Sequence, residues 1–304
     1  MVKYTKMATI EKIKELIKYS IATMFVKPSE KGAYFCPVNL MLIAPPETGK
    51  TRILKGFFCK KTLEIMDLSP KLIKEAIIPK LESQEIKFLI IPDLIQLLGH
   101  KQNTVRSTIG FLNALIEEGV KDNLFYGMEF HLKEFVHCGL ITAITTQEFY
   151  KNILDWNGIG FLHRIMPISY DYSKGKIHEI HKEIASGQMF KESNEISVGN
   201  GNNKFKPISI PEKYSADIQL IVFRVMERLK TFSVKSYKGS KSKNKEAIFF
   251  DSKGFRLHDR LRQLARAICY IDGNGKRKSV NADDINKLRE ITEVINFPNS
   301  KSLI

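Results

Sequence analysis

Cysteine is scarce in this 304-residue sequence, and histidine nearly so. The four cysteines, Cys36, Cys59, Cys138 and Cys269, are scattered with no CxxC spacing, which excludes a disulfide framework and a cysteine zinc site and reads as free thiols in a reducing cytosol. Of the seven histidines, only His178 and His181 stand three apart, with no cysteine or third histidine beside them, so they read as a solvated helix face. No apolar run approaches the ~20 residues needed to cross a bilayer. Lysines interrupt the apolar positions of the N-terminal MVKYTKMATIEKIKELIKYS, so neither a signal peptide nor a membrane span fits. These absences lead to the expectation of a soluble, cytoplasmic protein with no membrane partner.

Acidic residues are also in deficit: 33 Asp and Glu face 48 Lys and Arg, leaving a net charge of +15. A surplus of that size attracts polyanions such as nucleic acid or nucleotide phosphates, although 37 of the cations are lysine and a plain lysine bias reads the same in the total. Hydrophobic residues at 43% and charged residues at 27% are ordinary globular values and exclude a largely disordered, collagenous or coiled-coil chain. The length allows one large domain or two ordinary ones, and such a chain buries about 75% of the surface it exposes when unfolded.

Periodicity divides the chain. Ile10–Met24 repeats apolar residues every three to four positions and reads as an amphipathic helix within an N-terminal segment, 1–37. From 38 to 173, short apolar runs alternate with helical patterns: strands at Asn39–Ala44, Leu63–Met66, Lys87–Ile91, Gly139–Thr146 and Ile165–Ser173. Helices fall between them, one starting at a Ser69 cap with Pro70, one at Asp93–Leu98 and one at Asn103–Glu118, and Val120–Val136 reads as a β-hairpin insertion around Gly127. Alternation of this kind predicts an α/β fold with a five-stranded, mostly parallel sheet covered on both faces. The remainder, 174–304, reads as a small all-α domain with helices at 177–184, Ala216–Phe232, Gly254–Tyr270 and Val280–Ile295, a polar loop at Gly199–Lys204 and a basic, mobile stretch at about 233–247.

The strongest motif joins the first of these strands to a helix. Residues Ala44, Pro45, Pro46, Glu47, Thr48, Gly49, Lys50 and Thr51 approximate GxxxxGK[ST], the phosphate-binding P-loop or Walker A pattern, with the required strand before and helix after. Backbone N–H groups from Thr48 to Thr51 would surround a β-phosphate at the helix start, Lys50 would reach the β- and γ-phosphates, and the Thr51 hydroxyl would ligate Mg²⁺. With Arg52, these residues are the candidate ATP-binding set. Ala44 and Glu47 depart from the usual glycines, and Ala44 is tolerable if its φ is negative.

APPETGKT after a strand resembles the GPPGTGKT loop of AAA+ ATPases, and the α/β part followed by a helical lid is similar to their architecture. In the same order, KFLIIPD resembles a Walker B strand, ITAITT a sensor 1 strand end, GFLHRIMPI the segment with the arginine finger, and GFRLHDRLRQLARA a sensor 2 helix. The resemblance covers about Asn39 to Ile295. It implies an ATPase whose site lies at a subunit interface, with Asp93 as the magnesium or base residue, Thr145 and Thr146 orienting water, Arg164 as the finger, and Arg256 or Arg260 as sensor 2. The usual Asp-Glu pair is incomplete: with Asp93 on magnesium the base position is Leu94, and with Asp93 as base the magnesium position is Pro92. Hydrolysis is therefore expected to be slow, or a base comes from elsewhere; Glu117 and Glu118 are candidates that also read as solvated helix-end residues.

The helix-hairpin-strand arrangement resembles MCM and MoxR members of that superfamily, which implies a ring-forming homo-oligomer, a hexamer being one candidate size, whose hairpin projects inward with Lys121, His131 and Lys133 toward a pore ligand. Acidic Asp122, Glu129 and Glu134 share the hairpin. Between Ser233 and Val280, 13 Lys and Arg face 4 Asp and Glu, a surplus of nine within the total of +15. This asymmetry favours a nucleic-acid partner, DNA foremost, gripped through its backbone and without base readout. A protein client, as in MoxR relatives, is the alternative.

Overall fold

A computed structural model describes residues 7–30, 35, 37–66, 68–125, 128–172, 175, 177, 178, 182, 185, 186, 194, 195, 205–230, 233–235, 245–247 and 253–298. Its centre is a five-stranded sheet in which every neighbouring pair is parallel. The strands are β2 (Leu40–Ala44), β3 (Thr62–Glu64), β4 (Phe88–Ile91), β7 (Gly139–Thr145) and β8 (Met166–Ser169), in the spatial order β3-β4-β7-β2-β8; β1 (Val26–Pro28), β5 (Val120–Phe125) and β6 (Met128–Val136) lie outside the sheet. All five residues of β2 and all four of β4 are buried, as strands covered on both faces must be.

Between the strands run α2 (Lys50–Lys55), a helical stretch α3 (70–82), α4 (Ile95–Leu98), α5 (Gln102–Asn113) and α6 (Thr146–Gly158). Ser69 caps α3 as its sequence predicts, its Oγ accepting from the Leu72 N–H at 3.3 Å. The middle of α3, Ile73–Ile77, widens into a π turn just before Pro79, which has no N–H to give to the ladder. A second π turn, Ala114–Glu118, extends α5 to Gly119, whose φ of 79° ends it. The expected hairpin is present as the antiparallel pair β5 and β6, with residues 126–127 outside the description.

Asn39 organises the end of the sheet where the parallel strands begin. Fully buried, it accepts the Leu140 N–H at 2.8 Å and donates to the Arg164 carbonyl at 3.2 Å, while its own carbonyl receives the Met166 N–H at 2.8 Å. One residue, through its side-chain amide and its main-chain carbonyl, thereby ties together the starts of β2, β7 and β8. On the outer edge of β8, Asn296 donates its N–H to the Pro167 carbonyl at 3.1 Å and accepts the Ser169 N–H at 2.9 Å, covering an otherwise open strand edge.

The C-terminal part contains α7 (Ser215–Lys230), α8 (Phe255–Asp272) and α9 (Ala282–Ile291). It is not all helical. Lys206–Ile208, here β9, pairs in parallel with β1, and Ser233–Lys235 pairs antiparallel with Lys245–Ala247. Buried Ile208 and Ile210 stand two apart, a strand alternation that a helical reading of this part passes over. The rest of the basic stretch at 233–247, the loop at Gly199–Lys204 and most of the helix expected at 177–184 lie outside the described residues.

The N-terminal helix α1 (Met7–Ala22) is part of this C-terminal assembly. Lys12 pairs with Glu293 at 2.7 Å, Lys287 with Glu15 at 2.5 Å, and the Tyr19 hydroxyl donates to Asp272 at 3.0 Å. Glu30 then bridges Arg262 at 3.4 Å and Arg266 at 3.0 Å on α8. No helix among the described residues is long and apolar enough to cross a membrane.

Candidate functional site

The loop from Ala44 to Gly49 leaves β2 at the carboxyl ends of the parallel strands, the edge at which open α/β sheets bind ligands. Ala44 pairs with Thr145 of β7, so the loop base lies beside the end of that strand. Gly49 adopts φ 78° with nothing within 4 Å of a notional Cβ; the glycine serves the left-handed backbone, not a close approach. Glu47 also has a positive φ, 60°, without a glycine's freedom, whereas Ala44 does not. Thr48 is buried and its Oγ1 donates to the Pro45 carbonyl at 2.8 Å. The Gly49 carbonyl accepts the Ile53 N–H at 2.9 Å, the first bond of α2, so the N–H groups earlier in that turn have no intrahelical acceptor. Pro46, Glu47, Thr51 and Arg52 are exposed.

Lys50 folds back along this loop, its Nζ donating to the carbonyls of Ala44 at 2.9 Å and Pro45 at 2.6 Å. Burial holds its ammonium below the usual lysine range, and the charge of Asp93 partly opposes that shift. The two groups therefore sense each other across the strand ends. Asp93 follows β4, and the Leu94 N–H donates to the Ala143 carbonyl at 2.9 Å, fixing the aspartate beside the end of β7. β4 and β2 flank β7, which sets them roughly 10 Å apart at two interstrand spacings. Asp93 Oδ1 accepts the Ile95 N–H at 3.0 Å, an Asx-type turn leading into α4. Leu94 is fully buried, which leaves Asp93 as the carboxylate that β4 delivers to this edge.

Thr145 ends β7 and caps α6, its Oγ1 accepting the Glu148 N–H at 3.3 Å, while Thr146 is buried in the first turn. Two residues here were not singled out by the sequence. Glu148 lies one turn from Thr145 and pairs with Lys151 at 2.5 Å. Tyr170, just beyond β8, donates its hydroxyl to the Thr48 carbonyl at 3.3 Å and so braces the loop. An aromatic residue one step past a strand carries no local signal; only the β2-β8 pairing brings it to the loop.

The arginines lie elsewhere. Arg164 precedes β8 and its carbonyl is bound by Asn39, so it sits at the amino edge of the sheet, a strand length of about 16 Å from the loop. Its Nε approaches Glu117 Oε2 at 2.5 Å, an ionic contact rather than an aligned hydrogen bond, its Nη2 meets Glu118 at 3.0 Å, and its Nη1 donates to the Gly160 carbonyl at 3.1 Å. Arg256 reaches the other oxygen of the same Glu117 at 2.5 Å, and buried Arg260 donates to the His163 carbonyl at 2.9 Å. The structure thus gathers Arg164, Arg256 and Arg260 with each other and parts them from the loop of their own chain. Glu117 is 7% exposed, not a solvated helix end, and with Glu118 it sits at the wrong edge to serve this loop as a base.

On the hairpin, His131 and Lys133 are exposed and Lys121 is half-buried. Exposed Phe135 continues their alternation along β6, and the Lys133 N–H donates to Glu82 of α3 at 3.3 Å.

Among the described residues no three His, Cys, Asp or Glu side chains converge as a metal cage. Thr51 and Asp93 nevertheless suit Mg²⁺, a hard cation that is characteristically held by one or two carboxylates together with substrate phosphates and water. No protein-family model matches the chain, and comparison with curated proteins finds no match.

Proposed function

We propose that the chain is an ATPase that binds Mg-ATP on the loop from Ala44 to Arg52 and, as an assembly of several copies, uses it to move or remodel nucleic acid. The observation that carries the reading is Lys50, a partly buried ammonium held on the loop carbonyls at the carboxyl edge with Asp93 across from it. A triphosphate supplies acceptors that the ammonium can exchange for those two carbonyls. Thr51 and Asp93 are the residues that would hold Mg²⁺, which supplies charge neutralisation of the phosphates. Thr145 retains a hydroxyl hydrogen with which to orient water, since its oxygen is the acceptor in the cap.

Placement at the amino edge supports a role for Arg164 and Arg256 toward a nucleotide bound to another copy, because neither reaches the loop of its own chain. Engagement of Arg164 requires release from Glu117 and Glu118. With no second carboxylate on β4, turnover is slow. A protein client is the second reading, favoured by Leu220 and Phe223, exposed one helical turn apart on α7, and by Phe255 at 71% exposure.

Lys50→Ala tests the core of the proposal. The variant is expected to lose at least tenfold in Mg-ATP affinity by calorimetry while keeping its melting temperature, and unchanged affinity refutes an ATP site on this loop.

A further inference from the structure

We propose that Tyr172 is the platform on which the nucleotide base stacks. The inference rests on the phosphate-loop reading and goes beyond it by naming what holds the nucleoside. The order β3-β4-β7-β2-β8 places Asp93 and Thr145 on one side of β2 and leaves β8 alone on the other. A triphosphate with its terminal phosphates toward Lys50 and Asp93 therefore directs its nucleoside toward β8. Ile43 pairs with Ser169, so the chain leaving β8 as Tyr170, Asp171 and Tyr172 emerges level with the loop base.

The two tyrosines divide the work. Tyr170 is 6% exposed and spends its hydroxyl on the Thr48 carbonyl, so it has no face to offer. Tyr172 is half-buried, rests on the core, and has its ring centroid 5.9 Å from that of Tyr170 at an interplanar angle of 61°. Its ring is thus fixed in orientation and still partly open, as a stacking surface has to be. Stacking reads a π face and not a hydrogen-bonding edge, so the site separates ATP from GTP poorly.

The test compares wild type, Tyr172→Leu and Tyr172→Phe for binding of Mg-ATP, Mg-GTP and Mg-tripolyphosphate by calorimetry. Leucine keeps the apolar contact with the core and removes the aromatic face. The expected result is a loss of about tenfold for both nucleotides in the leucine variant, within the range that base–aromatic stacking spans. Tripolyphosphate affinity stays unchanged and the phenylalanine variant binds as wild type. Unaltered nucleotide affinity, or an equal loss for tripolyphosphate, overturns the platform while leaving the phosphate loop standing. Wild-type protein that binds neither nucleotide nor tripolyphosphate overturns the loop reading, and the platform with it.

Discussion

Glu47 shows how a departure from a motif becomes visible in backbone geometry. It occupies a position where the resembling loops have glycine, and its φ of 60° is the conformation that a glycine there would adopt freely. A non-glycine residue in this region costs about 1 kcal/mol, and the carboxylate also stands exposed on the loop that we propose faces phosphate. Glu47→Gly is therefore expected to raise stability by about 0.5 kcal/mol, after allowing for the greater chain entropy of glycine, and to tighten Mg-ATP binding. Denaturant titration and calorimetry check the two effects separately. A variant less stable than wild type would show that the Glu47 side chain makes a compensating contact.

At the scale of elements, the end of α5 joins the sheet to the C-terminal helices. Its π turn directs Glu117 inward, so that one carboxylate meets both Arg164 before β8 and Arg256 at the start of α8. His137 closes the same junction from the other side, packed so tightly on Gly119 that a Cβ there would lie 2.7 Å from its Nε2. Burial lowers the affinity of His137 for a proton, outweighing a bond to the Glu117 backbone, and its Nδ1 is buried without a partner. The unfolded chain thus binds a proton near pH 6.5 that the folded chain still refuses. Stability is expected to be highest above about pH 6.5, to fall as pH drops below it, and to level off below the folded-state value. His137→Gln should flatten that part of the curve of melting temperature against pH. An unchanged slope would assign the acid sensitivity to other groups.

For the whole molecule, the decisive feature is the separation of two charged edges. The carboxyl edge carries Lys50, Asp93 and Thr145; the amino edge carries Arg164, Arg256 and Arg260. Helix α1 is tied to α8 by the Tyr19–Asp272 bond, and Glu30, just past β1, pairs with Arg262 and Arg266 of the same helix, so α8 is anchored at two N-terminal points. If the surplus charge grips a nucleic-acid backbone, binding of single- or double-stranded DNA in the presence of ATP will weaken roughly 10²- to 10³-fold between 50 and 200 mM salt for about five phosphate contacts. Fluorescence anisotropy at several salt concentrations measures this. Salt-independent binding, or none at low salt, would shift the assignment to a protein client.

Local pattern was sufficient for much of this molecule. Apolar runs five residues long, a capped helix start at Ser69 and the spacing of Gly49, Lys50 and Thr51 are readable because each depends on neighbours within a few residues. The parallel sheet followed from their alternation. What local pattern could not supply was strand order and the contacts between distant segments. Those place Tyr170 against Thr48, bury Glu117 between two arginines, and pair Lys206–Ile208 with Val26–Pro28. In each case the partners are tens to hundreds of residues apart, and their meeting is set by how strands and helices pack around one buried core, a constraint that no local window of sequence contains.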